Sequence, residues 1–342
     1  MNLAFNDTIS NHKQLYPFTA LKSAADIRLG ILTIREKWAF IKNSFYEEIL
    51  LVDDITLQPH WVPSLDGGLS LLANGGNIEA IDQEELKTLM YPWQIFQWND
   101  WAIRKDFRMI CFGRQSEPIS STNKVIAPEN IFIEPGAIVE HAFINASEGP
   151  IYIGKDALVM EGAMLRGPIA ICNNAVVKMG AKIYGATTIG PHSVAGGEIK
   201  NSVLMGYCNK AHDGYLGDSV IGEWCNLGAG TSNSNVKNTA GIVKVWHEAS
   251  GGFIPVGLKA GVLMGDYSRT AINTSINTGT VIGICCNIFD TALTPKKIND
   301  FTWGKERYQW EKVLIDIKNW KSLKNQSLTA EEEEKLHHIY YH

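Results

Sequence analysis

The chain has 342 residues, of which 45% are hydrophobic, and a formal net charge of -5 at pH 7. A chain of this length holds two domains, or one domain with appendages, and has enough apolar residues for a sizeable core. The slightly acidic balance excludes the basic footprint of a nucleic-acid-binding protein, so we predict no nucleic-acid partner.

The N-terminus, the apolar runs and the cysteines together predict a cytoplasmic protein without membrane contact. Polar residues interrupt the N-terminus before any signal-peptide core, and no apolar run approaches the length of a transmembrane helix. None of the six cysteines stands in a Cys-x-x-Cys pair, so we expect reduced residues that pack in the interior. These cysteines are Cys111, Cys172, Cys208, Cys225, Cys285 and Cys286.

Residues 1–118 contain no short repeat and are predicted to form a separate domain that ends in a connector. Ser23 precedes apolar residues at helical spacing, which predicts a helix over about 24–38. Arg28 and Arg35 would share one face of that helix, where they either grip a phosphate group or line a solvated surface.

Two segments of this domain, Gln14-Leu-Tyr-Pro-Phe-Thr19 and the stretch from Ala25 to Trp38, carry a first resemblance. They look like the opening of sugar-nucleotidyltransferase-like proteins with a hexapeptide-repeat domain behind it. This resemblance implies a glycine-rich phosphate loop and acidic ligands for Mg²⁺. The chain has no glycine before Gly30, so we predict a reduced α/β domain whose nucleotidyl transfer is lost or degenerate. The acidic pair Asp53-Asp54 either holds Mg²⁺ or lies in a solvated turn.

An aliphatic residue returns every six positions across residues 151–235, and a small residue stands four positions after most of them. Neither a helix nor a strand of a sandwich has a period of six. The aliphatic series is Ile153, Val159, Leu165, Ile171, Val177, Ile183, Ile189 and Ala195.

This hexapeptide repeat predicts a parallel β-helix over residues 119–295. Each hexad supplies a short strand and a tight corner, so about three hexads close one turn of a triangular prism. The aliphatic residues then stack inside the prism, and Tyr215, Ile221 and Leu227 are expected to continue the inward series. The repeat resembles the left-handed β-helix of acyltransferases. The predicted fold class is therefore mainly β, a left-handed parallel β-helix with an α/β N-terminal domain and C-terminal helices.

Two segments depart from the repeat. Residues 236–262 lack the period and predict a β-hairpin insertion, which would cover a site or reach a neighbouring subunit. Residues 296–342 predict C-terminal helices, and Thr329 with Glu332 predicts the capped start of the last one.

Polar residues crowd into residues 196–235, where the hexads loosen. A His-x-x-Tyr-Leu-Gly-Asp motif runs from His212 to Asp218, and an Asn-x-Gly-Ala-Gly-Thr motif runs from Asn226 to Thr231. These motifs, at this mutual spacing, closely resemble the acetyltransferase domain of the bifunctional N-acetylglucosamine-1-phosphate uridyltransferase/glucosamine-1-phosphate acetyltransferase family.

The resemblance implies a role for individual residues. His212 would be the general base, with Asn226 as a second catalytic residue, and Ala229 would bind the acetyl-CoA cosubstrate. Lys182 stands where the family has a phosphate-binding arginine, and a lysine keeps the charge but loses the planar fork. Val236 stands where the family has an aromatic residue. The residues implied to bind the sugar phosphate are Lys182, Lys200, Tyr215 and Asn235.

These residue types suit the transfer of an acetyl group to an amine. The amine must lose a proton, and an imidazole can accept it near neutral pH, which contributes roughly 10²- to 10⁴-fold in rate. Backbone N–H groups around Gly228-Ala229-Gly230 could stabilise the oxyanion of the tetrahedral intermediate.

The sequence therefore predicts an acetyltransferase that acts on an amino sugar phosphate such as glucosamine-1-phosphate, with no metal ligand at this site. A homotrimer, with its active site built where subunits meet, is what the resemblance implies. Two alternatives stay open. One is a sugar-1-phosphate nucleotidyltransferase that acts through the N-terminal domain with Mg²⁺, and the other is a non-catalytic trimeric scaffold.

Overall fold

Three stacks of short parallel strands form the walls of a prism in the computed structural model, which describes residues 2–7, 9–45, 54–289 and 292–342. Face 1 contains β6 Ile131–Ile133, β9 Ile151–Ile153, β12 Ile169–Ile171, β15 Thr187–Ile189, β18 Val203–Leu204, β21 Val220–Ile221, β26 Leu263–Met264, β29 Val281–Ile282 and β31 Lys297–Ile298. Face 2 contains β7 Ile138–Val139, β10 Leu158–Val159, β13 Val176–Val177, β16 Val194–Ala195, β19 Asn209–Lys210, β22 Asn226–Leu227, β27 Arg269–Thr270, β30 Asn287–Ile288, β32 Thr302–Trp303 and the antiparallel β33 Glu306–Arg307. Face 3 contains β5 Lys124–Ile126, β8 Phe143–Asn145, β11 Met164–Arg166, β14 Lys182–Tyr184, β17 Glu198–Lys200 and β20 Tyr215–Gly217, and is followed by the pair β23 Ser232–Asn233 and β28 Ser275–Ile276.

The predicted parallel β-helix is thus confirmed, and its interior is the predicted aliphatic column. All eight residues of the series from Ile153 to Ala195 are at most 2% exposed. Equivalent residues stack in register from coil to coil, as Leu165 does on Ile183. Each buried Val, Leu or Ile contributes roughly 1.5–3 kcal/mol, so the stacked column is the main source of stability of the prism.

The repeat shifts after Ala195, and the prediction that Tyr215 points inward is wrong. Leu216 is buried instead, while Tyr215 lies half-buried on the outer surface of face 3. The shift arises because the inward residues Ala195 and Ile199 are separated by four positions, and Ile199 and Leu204 by five. From Leu204 the six-residue step places Lys210, a charged residue, on the inside.

The two corners that flank face 2 differ in their residues. The corner between faces 1 and 2, called here the aromatic corner, carries non-glycine residues with φ between 53° and 62°, namely His192, Tyr207, Trp224 and Tyr267. The corner between faces 2 and 3, called here the glycine corner, carries glycines with φ between 67° and 125°, namely Gly162, Gly180, Gly197, Gly214 and Gly230. Both corners require a left-handed backbone, which favours glycine.

The N-terminal region packs against face 1, and its core is continuous with that face. Leu15, Trp38 and Ile103 belong to the same buried cluster as Tyr152 and Met205 of the prism. The elements of this region are β1 Asn2–Phe5, α1 Ile9–Gln14, a 3₁₀ helix Ala24–Asp26, α2 Ile34–Phe45, β2 Asp54–Leu57, β3 Trp61–Pro63, α3 Leu65–Ala73, β4 Leu86–Thr88, α4 Gln94–Gln97 and α5 Asn99–Cys111. A second 3₁₀ helix, Pro128–Asn130, precedes β6.

The predicted helix over 24–38 is wrong in its first part. Ser23 caps only the short 3₁₀ helix, and α2 begins at Ile34. The chain between them cannot be helical because Gly30 has φ = 85°. The two arginines do not share a helix face either, since Arg28 is buried and donates to the Met205 carbonyl, while Arg35 pairs with Asp26.

The hairpin consists of β24 Val243–His247 and β25 Gly252–Gly257 and packs back on the N-terminal region of its own chain. The His247 ring lies edge-on to Tyr91 and Trp93, and its Nε2 atom is 3.2 Å from the Gln14 carbonyl. Burial lowers the pKa of His247. The hairpin therefore braces the N-terminal region and does not cover the predicted site.

The C-terminal helices are α6 Trp310–Ser322 and α7 Ala330–Tyr341, which follow a last coil that extends past residue 295 to β32. Thr329 and Glu332 form the predicted capping box. The helices pack on the aromatic corner, where Val313 and Leu336 join Trp224 and Tyr267 in one buried cluster.

The six cysteines are free, and all except Cys111 are buried. Burial raises the pKa of the Cys208 thiol to about 12, as expected for a cysteine that serves packing. No helix in the described part of the chain has the length and apolar character needed to cross a bilayer.

Candidate functional site

The predicted site residues lie around the glycine corner of consecutive coils. His212 is exposed in the turn 211–214, between β19 of face 2 and β20 of face 3. Ala229 lies in the corresponding turn of the next coil, 228–231. Asn226 is on face 2, whereas Lys182, Lys200 and Tyr215 are on face 3 and Asn235 follows β23. The structure thus brings the seven residues to two adjoining faces and the corner between them.

Face 3 carries a polar cluster on its outer surface. Glu198 of β17 stands in register between Lys182 of β14 and Tyr215 of β20. The Tyr184 hydroxyl donates to Glu198 Oε1 over 2.6 Å, and Lys200 Nζ lies 5.6 Å from the centroid of the Tyr184 ring. Two ammonium groups therefore share one face with phenol and carboxylate groups, which is a suitable surface for a phosphorylated sugar.

The side chain of Asn235, in the segment that follows β23, forms hydrogen bonds with residues in and next to β20. Its Nδ2 atom donates to the Tyr215 hydroxyl over 3.1 Å and to Asp218 Oδ2 over 2.5 Å. Asn201 Nδ2 donates to the other oxygen of Asp218 over 2.7 Å. Burial, followed by the charges of Asp218 and Glu198, raises the pKa of Tyr215, so its hydroxyl keeps its proton and can donate it to a ligand.

Asp218 ends the first motif, and the sequence alone predicts no role for it. Asp218 is 5% exposed, and its two oxygens accept from Asn201 and Asn235. It orients the amide of Asn235, one of the predicted sugar-binding residues. The signal was present in the motif, but only the fold shows which amides the carboxylate joins.

The side chain of His212 is free to meet a ligand. In the described part of the chain, His212 takes part in hydrogen bonds and ion pairs only through its carbonyl oxygen, which accepts from Lys210, and its imidazole has no bonded partner. Its backbone, by contrast, is closely packed, because a Cβ on Gly197 of the preceding coil would lie 2.8 Å from the His212 carbonyl oxygen. Because Gly197 has no side chain, the two coils can approach closely. The backbone of His212 is thus tightly packed, while its imidazole remains accessible to a ligand.

Asn226 and Asn209 lie opposite each other on neighbouring strands of face 2. Asn209 Nδ2 donates to Asn226 Oδ1 over 2.7 Å. The bond occupies the carbonyl oxygen of Asn226, so its NH₂ group remains the part of the amide that can donate to a substrate.

Only one of the three predicted oxyanion donors is available. The Gly228 N–H donates to the Thr270 carbonyl, and the Gly230 N–H donates to the Asp213 carbonyl over 2.9 Å. Both glycines serve the coil-to-coil ladder, which corrects the broader prediction. Among the described residues the Ala229 N–H has no acceptor, so it is the donor that could meet an oxyanion.

An apolar groove of about 660 Å³ adjoins this cluster on face 3 and shares Lys182 and Tyr184 with it. Ile126, Phe143 and Met164 line its floor and are about half exposed. Face 3 therefore exposes large apolar side chains, flanked by Lys124 and Arg166, on its N-terminal strands and mainly polar and charged ones at β14, β17 and β20.

The N-terminal loop that follows the 3₁₀ helix is occupied by contacts with α5 and with the prism. Thr188 Oγ1 donates to the Gly30 carbonyl over 2.9 Å, and Asn99 Oδ1 accepts from the Gly30 N–H over 2.8 Å. The buried Asp106 carboxylate accepts from the Ile31 N–H over 2.8 Å and pairs with the buried Lys37 ammonium. The backbone that might approach a nucleotide is thus used to dock the region on face 1. Of the proposed acidic pair, Asp53 lies outside the described residues.

Comparisons with known proteins agree with both resemblances. A family model described as sugar nucleotidyl transferase matches residues 3–51. A bifunctional sugar-1-phosphate nucleotidylyltransferase/acetyltransferase of Sulfurisphaera tokodaii is 28% identical over 253 residues, which are 72% of this chain and 56% of that protein. The bifunctional protein GlmU of Methanocaldococcus jannaschii is 32% identical over 118 residues, 34% of this chain and 28% of that protein.

The chain spans about half the length of the first of these relatives and a smaller share of the second. A fold of hexapeptide coils, a family match at the N-terminus and a histidine-bearing corner occur together in one chain. The protein therefore resembles bifunctional sugar-1-phosphate nucleotidyltransferase/acetyltransferases, with an N-terminal region similar to the sugar nucleotidyl transferase family.

Proposed function

We propose that this protein is a transferase that moves an acetyl group from acetyl-CoA to the amine of an amino sugar phosphate such as glucosamine-1-phosphate. The observation that carries the proposal is the exposed His212 imidazole on the glycine corner, next to the face that holds Lys200, Tyr215 and Asn235. A base, cationic groups and hydroxyl or amide donors are thereby offered to one ligand. The name of the S. tokodaii relative supports acetyl transfer as the activity.

In this proposal the amino nitrogen of the sugar attacks the thioester carbonyl carbon, and the imidazole of His212 accepts a proton from that nitrogen. The tetrahedral intermediate carries an oxyanion, toward which the Ala229 N–H donates. Collapse of the intermediate breaks the carbon–sulfur bond, and the protonated imidazole returns its proton to the leaving thiolate. No covalent enzyme intermediate is required, since the imidazole acts on the proton alone.

Lys182 and Lys200 bind the phosphate in this proposal, while Tyr215 and Asn235 contact the sugar. The ammonium groups act as point charges without the two parallel bonds that an arginine makes. The register of Lys182 with Glu198 also places a carboxylate beside the cations, which suits a substrate that carries both a phosphate and a protonated amine.

The same resemblance favours a cytoplasmic homotrimer. The residues proposed to bind the substrates lie on both sides of the glycine corner, on face 2 and on face 3. The exposed apolar residues Ile126, Phe143 and Met164 also lie on face 3. A neighbouring subunit on face 3 would cover these residues and enclose the substrate between two prisms. A purified protein of trimer mass in sedimentation analysis is the expected result, and a monomer at micromolar concentration would contradict it.

Nucleotidyl transfer is the second candidate, because the sugar nucleotidyl transferase model matches residues 3–51. It would require Mg²⁺ and a nucleoside triphosphate. The burial of the Arg28–Leu32 loop speaks against it, since that backbone already bonds with Asn99 and Asp106 of α5 and with Thr188 of the prism. A non-catalytic trimeric scaffold predicts instead that acetyl-CoA does not bind.

The test is CoA-thiol release by the purified protein with acetyl-CoA and a panel of amino sugar phosphates led by glucosamine-1-phosphate. We expect release that depends on the sugar and is lost in His212→Ala. His141→Ala is the matched control, since His141 is an exposed histidine on the same corner several coils earlier. Normal turnover in His212→Ala would rule out His212 as the general base. Pyrophosphate formation without CoA release would assign the activity to the N-terminal region.

A further inference from the structure

Lys210 is an exception in the interior of the prism. It is 2% exposed and stands in register with Ala195, in the inward row of face 2 that also contains Val177 and Leu227. Every other residue in that part of the row is aliphatic. A leucine or methionine would fill the space without a charge, so packing alone does not explain a lysine at this position.

The buried ammonium finds its acceptor in the backbone of the proposed base. Lys210 Nζ donates to the His212 carbonyl oxygen, two residues along the chain. Ala195 on the preceding strand is small, which leaves room for the lysine stem to turn toward the corner. Burial lowers the pKa of Lys210 to about 8, and the charge of Asp213 opposes that change. The Lys210 ammonium thus loses its hydration and gains one hydrogen bond to the backbone at the glycine corner.

The same corner is held from the two neighbouring coils. Gly197 lies under the turn 211–214 at a separation that admits no side chain, and Glu198 N donates to the Gly214 carbonyl over 3.2 Å. On the other side Gly230 N donates to the Asp213 carbonyl over 2.9 Å. Lys210 supplies the third contact, from inside the prism. The turn 211–214 is therefore held from three directions, and Lys210 is the residue that bonds to the carbonyl of His212 itself.

We propose that Lys210 is a positioning residue, whose buried amine holds the carbonyl of His212 and so fixes the direction in which the imidazole faces the substrate. The inference rests on the proposed function, because the base role of His212 is part of it. Lys210 does not touch the substrate, since it lies inside the prism. A base that is displaced by about 1 Å loses on the order of 10²-fold in rate, which sets the effect expected when the amine is removed.

The experiment compares wild type, Lys210→Met and Lys210→Gln, with Lys155→Met as a matched control at an exposed lysine. For Lys210→Met we expect kcat for CoA release to fall about 10²-fold with KM within about twofold, because bound substrate is unaffected and the base is displaced. Lys210→Gln keeps a neutral donor and should recover part of the loss. Gln also serves as the test variant if the methionine protein does not fold. Lys155→Met should keep wild-type kinetics.

Amide hydrogen exchange supplies a readout that does not depend on activity. The Gly230 and Glu198 amides donate to carbonyls of the turn 211–214, so in Lys210→Met they should exchange at least about tenfold faster. The Val176 amide, which bonds to Ser193 in another coil, should be unchanged. Unchanged exchange at Gly230 and Glu198, or unchanged kcat, overturns the proposal. A wild-type protein that releases no CoA overturns the proposed function, and the exchange rates then decide alone whether Lys210 holds the corner.

Discussion

The aromatic corner and the glycine corner meet the same backbone requirement with opposite residues. At the aromatic corner Tyr207 stacks on Trp224 with ring centroids 4.1 Å apart and on His192 at 4.8 Å. A left-handed conformation costs a non-glycine residue roughly 1–2 kcal/mol, so these side chains must recover that cost through packing. They do so against each other and against the C-terminal helices, where Lys321 lies 5.2 Å from the centroid of the Trp224 ring.

From Gly162 to Gly230 the backbone of the glycine corner bears no such cost, and the absence of side chains lets successive coils come close together. Gly197 approaches the His212 carbonyl, and Gly214 has a φ of 125° that few other residues adopt. This corner carries the exposed His212 and, as far as the described residues go, an Ala229 N–H without an acceptor. One prism thus has a corner whose side chains pack on the C-terminal helices and a second corner that carries residues of the proposed acetyl transfer.

The largest expected difference between substitutions at the two corners is their effect on enzymatic activity. His212→Ala should lower the rate of CoA release by roughly 10²- to 10⁴-fold, because the amine loses its proton acceptor. Its free energy of unfolding should stay within about 0.5 kcal/mol of wild type, because the side chain is exposed. Urea unfolding and the CoA assay on the same preparation check both numbers. A large loss of stability would show that the glycine corner also serves packing.

Trp224→Ala should give the opposite pattern. Trp224 is 7% exposed and stacks between the corner and the C-terminal helices, so its removal should cost about 3–5 kcal/mol of unfolding free energy. The kcat of the folded protein should remain near wild type, because the residue lies at the other corner. Phe253→Ala on the exposed side of the hairpin is the control and should cost far less. A Trp224→Ala protein that keeps its stability would contradict the assignment of this corner to packing.

The pH dependence of the free energy of unfolding should show the effect of burying the Lys210 amine. Its pKa is about 8 in the folded protein and near the ordinary 10.5 when unfolded. Between these values the unfolded chain binds more protons, so the contribution of Lys210 to stability rises with pH, by about 3 kcal/mol in total. Below pH 8 both states are protonated and the full burial penalty remains. Asp213 is the charged group that interacts with the amine in the described structure.

Urea unfolding of wild type and Lys210→Met across pH 7.5 to 10.5 checks this expectation. Other groups titrate equally in both proteins, so the difference between the two curves isolates the lysine. The methionine protein should be more stable at pH 7.5, and its advantage should shrink toward pH 10.5. A constant difference would mean that the amine is not desolvated inside the prism.

The sequence is informative where a residue type repeats and less so where contacts are distant in the chain. The hexad series from Ile153 to Ala195 predicts the prism because each residue packs on its equivalent one coil away. The phase change between Ala195 and Leu204 could not be predicted, since steps of four and five residues have no local signal. The docking of the Gly30 loop on Thr188 escaped prediction for a related reason, because its partner lies 158 positions away.

The candidate site shows the same division. The motif from His212 to Asp218 indicates the base and the sugar-binding tyrosine, because both residue types and their spacing are local. Which N–H groups are free could not be predicted, since the Gly230 amide is engaged by Asp213 of the preceding coil. Lys210 gave no signal either, because an inward lysine is recognisable only once the strand direction is known.

The smallest expected effect tests whether the closeness of the coils at the glycine corner matters for His212 itself. Gly197→Ala and Gly180→Ala place the same residue at φ values of 71° and 67° on the same corner, so the left-handed backbone alone should cost each about 1–2 kcal/mol of unfolding free energy, and the backbone clash should add to that cost only in Gly197→Ala. A Cβ at Gly197 would lie 2.8 Å from the His212 carbonyl, whereas a Cβ at Gly180 meets nothing within 4 Å. Only Gly197→Ala should therefore displace the turn 211–214 and lower kcat, and equal kinetics in the two variants would show that the position of the histidine tolerates that shift.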